Sequence, residues 1–553
     1  MEKAEKWMLG GTLVLAIIVM ETILFGGLGL GVVAGVVAYF VCLGLFSKLY
    51  NRSMSKLAKW LMVPIVLCTL CFVIFGNTVL RVFNLIFLAV LILLHALEVF
   101  GKCEQEAFLP AWIGEVLNLG ITLPFAYISK PVVLVKDELG TGQKKNMKVV
   151  GKVLLGLVIA VPMLLVVVGL LASADAAFEG TINFVFQNLT FNFDSLGTKL
   201  FFVIVLFFMF FSYFYGLSHK EVKEVRQNYI DPEWRRDSLL MEDKSEGNLN
   251  EKDNLVNRED QVRDIDIIED RGLSQKSIYL DFVVVSTIAT MLCLVYLIFC
   301  LSQLAYFVSA FNGVLPAGFD TQSEYARRGF FETLPIVGFN LLGIMFLSYV
   351  VKQEKGKKSV YIKGMISFIT GFTAFMVTCA LSKMFMYMQR YGLSLWRVYV
   401  AWFLILSLVV VILVFAKVFW QKLQLIKIVF IVFIAMYLGL NYSNVDYLVA
   451  RQNVSLYKQG KTSDLSGCYN LSSSALGPIS ELVDSHPEIL EYQEDRYYDT
   501  AGYILSRLEY NLQNENWQAF NLADYKGRAY LEKIKAAGYE SSEDVRRPIE
   551  FLR

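Results

Sequence analysis

The stretch AKWLMVPIVLCTLCFVIFGNTVLRVFNLIFLAVLILLHALE, residues 58–98, is two apolar runs separated only by the turn Gly76-Asn77-Thr78. A bilayer's hydrocarbon core is about 30 Å thick, so a helix that crosses it needs roughly 20 mostly apolar residues. The runs 58–76 and 79–98 meet that length. Reading outward in both directions gives further spans at 7–26, 28–46, 149–172, 200–217, 278–303, 329–351, 359–387, 396–418 and 423–441. The chain is 56% hydrophobic and 14% aromatic, more than a soluble domain of ordinary composition carries. The expected fold is therefore all-α: a polytopic helical membrane protein of about 11 transmembrane helices. A soluble multidomain architecture is excluded. Gly26-Gly27-Leu28-Gly29 leads straight into the second run without a small-residue cleavage site, so the first run is expected to stay attached.

Cations beside the span ends set the orientation, because translocating Lys and Arg is disfavoured. Lys3 and Lys6 precede the first span, and Lys48, Arg52, Lys56 and Lys59 follow the second. Lys144, Lys145, Lys148 and Lys152 precede the 149–172 run, and Lys220, Lys223 and Arg226 follow 200–217. Lys352, Lys355, Lys357 and Lys358, then Lys417 and Lys422, complete the series. One side collects them all if residues 103–130, broken by Pro110 and Pro124, are interfacial or re-entrant rather than a crossing. That side is the cytoplasm, which holds the N-terminus and leaves the tail from Tyr442 extracytoplasmic. The resulting segments are a first membrane half at 1–218, a charged cytoplasmic linker at 219–275, a second membrane half at 276–441 and a helical module at 442–553. The linker is too poor in apolar residues to offset ordering entropy.

In the tail, Ala501, Ile504, Leu505, Leu508 and Leu512 recur at helical spacing and form one apolar stripe. This predicts a small module of short helices packed on one another or on the membrane surface. Of eight cysteines six lie in or beside spans, Cys103 faces the cytoplasmic side and only Cys468 lies on the outer side, so no disulfide framework is expected. Cys68 and Cys71 have a metal-ligand spacing without a second pair, and small apolar packing is preferred; no metal site and no cofactor are expected. His95 and Glu98, one turn apart, are read as a water-facing pair near the cytoplasmic boundary.

Several polar strings punctuate the spans. Val161-Pro162-Met163-Leu164-Leu165 precedes Leu171-Ala172-Ser173-Ala174-Asp175-Ala176-Ala177-Phe178, and Glu324-Tyr325-Ala326-Arg327-Arg328-Gly329-Phe330-Phe331-Glu332 stands before the 329–351 run. Tyr391-Gly392-Leu393-Ser394-Leu395-Trp396-Arg397, Asn444-Val445-Asp446-Tyr447-Leu448-Val449-Ala450-Arg451-Gln452-Asn453 and Trp517-Gln518-Ala519-Phe520-Asn521 follow. In this order they resemble the bacterial membrane family of domain of unknown function 4173, related to domain of unknown function 4153. Val445 and Ser394 stand where that family usually has Pro and Thr. The resemblance implies a bacterial cell-membrane protein and carries no activity.

Physically, Glu324, Arg328 and Glu332 are spaced for a ladder of opposite charges on one helix face, with Arg327 turned elsewhere. Gly392 is suited to a left-handed helix stop and Ser394 to a cap that places Arg397 in the next first turn, where an anionic neighbour is expected. Asn444 or Asp446 is suited to cap a helix carrying Arg451 and Asn453. Together Asp175, Glu324, Arg327, Arg390, Arg397, Asp446, Arg451 and Asn453 form a candidate outer-face cluster for an anionic ligand group, with structural ion pairing as the alternative. No G-x-S-x-G, H-E-x-x-H, P-loop or dinucleotide-binding pattern is present. The preferred function is non-enzymatic binding of a ligand or envelope partner at the outer face, in sensing, assembly or transport. The alternative is a membrane-embedded transferase or hydrolase acting on a lipid or envelope precursor. The expected partners are the lipid bilayer and an anionic ligand or envelope protein, with no nucleic acid.

Overall fold

The computed structural model describes residues 3–103, 105, 107–139, 196–219, 282–311, 330–331, 333, 335–344, 357–420, 422–462, 465–490, 501–513 and 516–539. Among these, every regular element is helical. Nine helices among the described residues are long and apolar enough to cross a membrane: Ala4–Leu24, Leu30–Leu49, Lys56–Ile74, Thr78–Phe100, Pro110–Val135, Gly197–Ser218, Val360–Tyr391, Leu395–Phe419 and Leu425–Tyr442. Shorter apolar helices, Ala289–Leu301 and Pro335–Ile344, fall within the expected 278–303 and 329–351 spans. The 149–172 run and, apart from His219, the 219–275 segment lie outside the described residues.

Local chemistry fixes the ends of these helices. Ser55 caps Lys56–Ile74 by accepting from the Ala58 amide, and Asn77 caps Thr78–Phe100 by accepting from that of Leu80. Gly101, at φ +59°, supplies the left-handed stop after Phe100.

Contacts group the described residues into two units. One draws on Met1–Ser218, Ala305–Pro335 and Ala374–Arg553, the other on His219–Leu304 and Ile336–Thr373. In the second, Tyr296 stacks on Phe372 at 4.0 Å and donates to Asn340, whose amide donates to Thr373 Oγ1 at 2.8 Å. A buried asparagine amide in an apolar bundle demands such partners, and here its oxygen and nitrogen both have one.

The first unit holds an apolar core built from the first four spans, Leu196–Ser218 and Leu425–Tyr442, with Trp112, Val116, Leu119 and Leu123 of the Pro110–Ala126 helix buried in it as well. Glu21 pairs with Lys199 at 3.2 Å, and Ala16, Met20 and Val203 pack beside them. This makes Leu196–Ser218 antiparallel to the first helix. Residues at either end of the Pro110–Ala126 helix touch one end of the bundle. Before it, Phe108 packs on Phe430, near the Leu425 terminus of its helix, with ring centroids 5.7 Å apart. After it, the Tyr127 amide donates to Ser212 Oγ and Lys130 lies over the Tyr215 ring, near the Ser218 terminus.

A second core belongs to the C-terminal helices Val445–Lys458, Leu476–Ser485, Ala501–Asn511 and Leu522–Ala536. Ile504, Leu505, Leu508 and Leu512 are all buried in it, and Leu80, Leu395 and Leu440 from three spans join it. Connections between spans dock against this bundle. Leu30 N donates to Phe520 O at 3.0 Å beside Gly26 and Gly29, Gly76 lies against Ser472 and Ser473, and Gly392 lies against Asn453.

Candidate functional site

The polar centre of the first unit is built on Asn77 and Asp446. Capping the Thr78 helix occupies the Asn77 side-chain oxygen, which also accepts from Tyr399 OH at 3.1 Å. Its amide is thereby turned outward and donates to Asp446 Oδ2 at 2.6 Å. Asn444, at φ +50°, turns the chain out of the last span, and Asp446 falls in the first turn of the next helix. There a carboxylate is favoured by the helix dipole. Asp446 Oδ1 accepts from the Ser472 amide at 2.7 Å, and the residue is only 2% exposed. Burial raises its carboxyl above the ordinary value; the hydrogen bonds from Asn77 and Ser472 oppose that by stabilising the anion. One carboxylate thus ties the connection between the third and fourth helices to the C-terminal bundle.

A polar column continues along the fourth helix. Arg81 donates from Nε and Nη2 to Phe75 O at 3.2 and 3.0 Å, satisfying a carbonyl at the end of the preceding helix. Asn84 donates to Asn441 Oδ1 and accepts from Tyr437 OH, each at 2.7 Å, while the Asn441 amide returns to Tyr437 O at 2.9 Å. A cavity of about 10 Å³ lies against Asn77, Arg81, Asn84, Asn441, Asn444 and Asp446, with room for about one water. The buried Asn444 Oδ1, which has no hydrogen-bond partner among the described residues, belongs to a residue of this lining. Sequence reasoning missed Asn77, Arg81, Asn84, Tyr399, Tyr437 and Asn441. The available signal was Asn77, Arg81 and Asn84 at i, i+4 and i+7 on an otherwise apolar helix.

The expected cluster is distributed over several places. Asp175, Glu324, Arg327, Arg328 and Glu332 lie outside the described residues. Arg390 and Arg451 are exposed. Among the described residues Arg397 meets carbonyls and a phenol rather than the expected anionic neighbour: Nη1 donates to Tyr391 O at 2.8 Å and Gly392 O at 2.7 Å, Nη2 donates to Tyr387 OH at 3.0 Å, and the guanidinium covers the Tyr387 ring at 4.2 Å. The negative end of the preceding helix compensates the cation. Gly392 takes the left-handed conformation, φ +72°, whereas Ser394 stands at the N-cap position without a side-chain capping bond. At the Val445–Lys458 helix the N-cap position is Asn444, which makes no side-chain capping bond, and Asp446 lies within the first turn.

Asn453 grips Leu393 through both its backbone groups, accepting from N at 3.1 Å and donating to O at 2.9 Å. Asp446 and Asn453 therefore serve separate seams of the same module. His95 corrects the water-facing reading: it is fully buried, neither ring nitrogen has a hydrogen-bond partner among the described residues, and Phe40 packs edge-on at 5.2 Å. Glu98 instead accepts from Ser55 Oγ at 3.1 Å. Replacing Arg397 by Ala is expected to cost about 1–3 kcal/mol, since charge-assisted bonds are lost and two helix-end carbonyls are left to water. A fall in the detergent melting temperature checks this, and Arg397→Lys should recover only part of it.

No curated protein and no solved structure matches the chain. The strings quoted above resemble domain 4173 and its relative 4153, and it is the relative that the sequence matches. The match runs over residues 62–482 and takes in Asn77, Arg81, Asn84, Asp446 and Asn453, so the chain belongs to the family described as Domain of unknown function (DUF4153).

Proposed function

We propose that this multi-pass membrane protein binds a ligand or envelope partner without covalent chemistry at its extracytoplasmic face, and that the C-terminal module is the receiving part. The observation that carries this reading is the use of Asp446. Both its oxygens are occupied, one by the Asn77 amide from the membrane helices and the other by the Ser472 amide within the module, and the adjoining cavity takes about one water. A general base needs a substrate-sized space and a free lone pair aimed into it. With Asp446 and Asn453 engaged in holding the module, and Arg397 in closing the end of the preceding helix, Arg327, Arg390 and Arg451 are the cations this reading assigns to an anionic group. Parallel measurement of melting temperature and cellular complementation tests the reading. Loss of both in Asp446→Asn supports a joint between module and membrane helices; intact stability with complete loss of complementation would favour the transferase or hydrolase alternative.

The membrane halves at 1–218 and 276–441, the cytoplasmic linker at 219–275 and the extracytoplasmic module at 442–553 form the accompanying topology. Its support is twofold. Cation-poor connections at Gly26–Gly29 and Gly76–Thr78 both meet the module, and the flanks of Pro110–Ala126 meet one end of the bundle, as a re-entrant helix would. In intact cells, a cysteine introduced at Ser541 should react with an impermeant maleimide and one at Ser245 should not. The reverse pattern rejects the topology.

A further inference from the structure

We propose that residues 517–526 are an interfacial anchor that seats the C-terminal bundle in the phospholipid headgroup layer of the leaflet where the first two spans join. Trp517 is 56% exposed and Tyr525 66%, and Phe520 and Leu522 beside them are exposed as well. They are not surplus core, because the same bundle buries Ile504, Leu505 and Leu508 almost completely. Their location identifies the partner. Leu30 N, at the start of the second span, donates to Phe520 O at 3.0 Å, and a Cβ on Gly29 would fall 2.5 Å from the same oxygen. Leu24 and Leu30, the residues that end one span and begin the next, are themselves exposed. Aromatic side chains one hydrogen bond from a span end lie at the depth where hydrocarbon gives way to headgroups, the environment that amphipathic rings favour. Phe520 and Tyr525 have ring centroids 6.3 Å apart and share this patch, and the exposed Lys526 supplies a cation for lipid phosphate. The inference rests on the membrane-spanning helices alone and stands or falls separately from the ligand-binding reading.

The test is tryptophan quenching of the full chain in nanodiscs of phosphatidylcholine and phosphatidylglycerol. Subtracting the Trp517→Phe emission from that of the wild type isolates Trp517. Lipid brominated near the headgroup should quench this difference signal, with weaker quenching from lipid brominated near the acyl terminus and little from aqueous iodide. Tyr525→Trp, in the Trp517→Phe background, provides a second reporter away from the backbone seam and should show the same order. A signal quenched by iodide and untouched by either brominated lipid would overturn the anchor. So would a signal insensitive to all three, which would mean that protein covers the patch.

Discussion

Asp446→Ala should loosen the C-terminal bundle from the membrane helices and cost about 2–5 kcal/mol of stability. The substitution removes the acceptor for two donors, the Asn77 amide and the Ser472 backbone N–H, and both residues are buried. Each orphaned donor forfeits a hydrogen bond while keeping its desolvation cost, about 1–3 kcal/mol apiece. Asp446→Asn retains the volume and one acceptor oxygen, so roughly half the loss is expected. Denaturation in detergent reads the magnitude, and limited proteolysis of the module shows where the structure opens. An unchanged melting temperature in Asp446→Ala would remove this carboxylate from the account of how the bundle is held.

Gly29→Val should be at least as damaging, about 3 kcal/mol or more, for a steric reason. A Cβ at this position meets backbone atoms of Ala519 and Phe520, which cannot rotate away as a side-chain tip would. Either the first two spans separate at their junction or residues 517–520 leave the seam and the Leu30–Phe520 hydrogen bond breaks. Gly44→Ala, within the second span and with nothing within 4 Å of the added carbon, is the control and should leave the melting temperature unchanged or slightly raised. Equal behaviour of the two variants would show that the glycine is no more than a turn residue.

The spans were legible because an apolar run of bilayer length is a local property, readable one segment at a time. The stripe at Ile504, Leu505, Leu508 and Leu512 was legible for the same reason: a helical period of apolar residues names its own buried face. The site was less so. Asn77 and Asp446 lie 369 positions apart, and nothing in either neighbourhood says that one completes the other. Arg397 was recognised as needing compensation, but the sequence alone favoured an anionic side chain over carbonyls of the preceding helix end. Gly26-Gly27-Leu28-Gly29 was legible as a turn, while its service as a cradle for Gln518, Ala519 and Phe520 depends on a partner segment far along the chain.

The 369-residue separation also imposes an order on biosynthesis. A growing chain delivers Asn77 to its membrane boundary long before Asp446 has been made, and in that interval the Asn77 amide must be served by water. The hairpin 56–100 therefore waits with its connection hydrated until the final span has been inserted and the tail has folded over it. Closure of this pair comes among the last tertiary events, as expected for a contact with so large a loop-closure cost. A chain interrupted before Asp446 leaves Asn77 unsealed at the membrane surface, whatever the quality of the helices already in place.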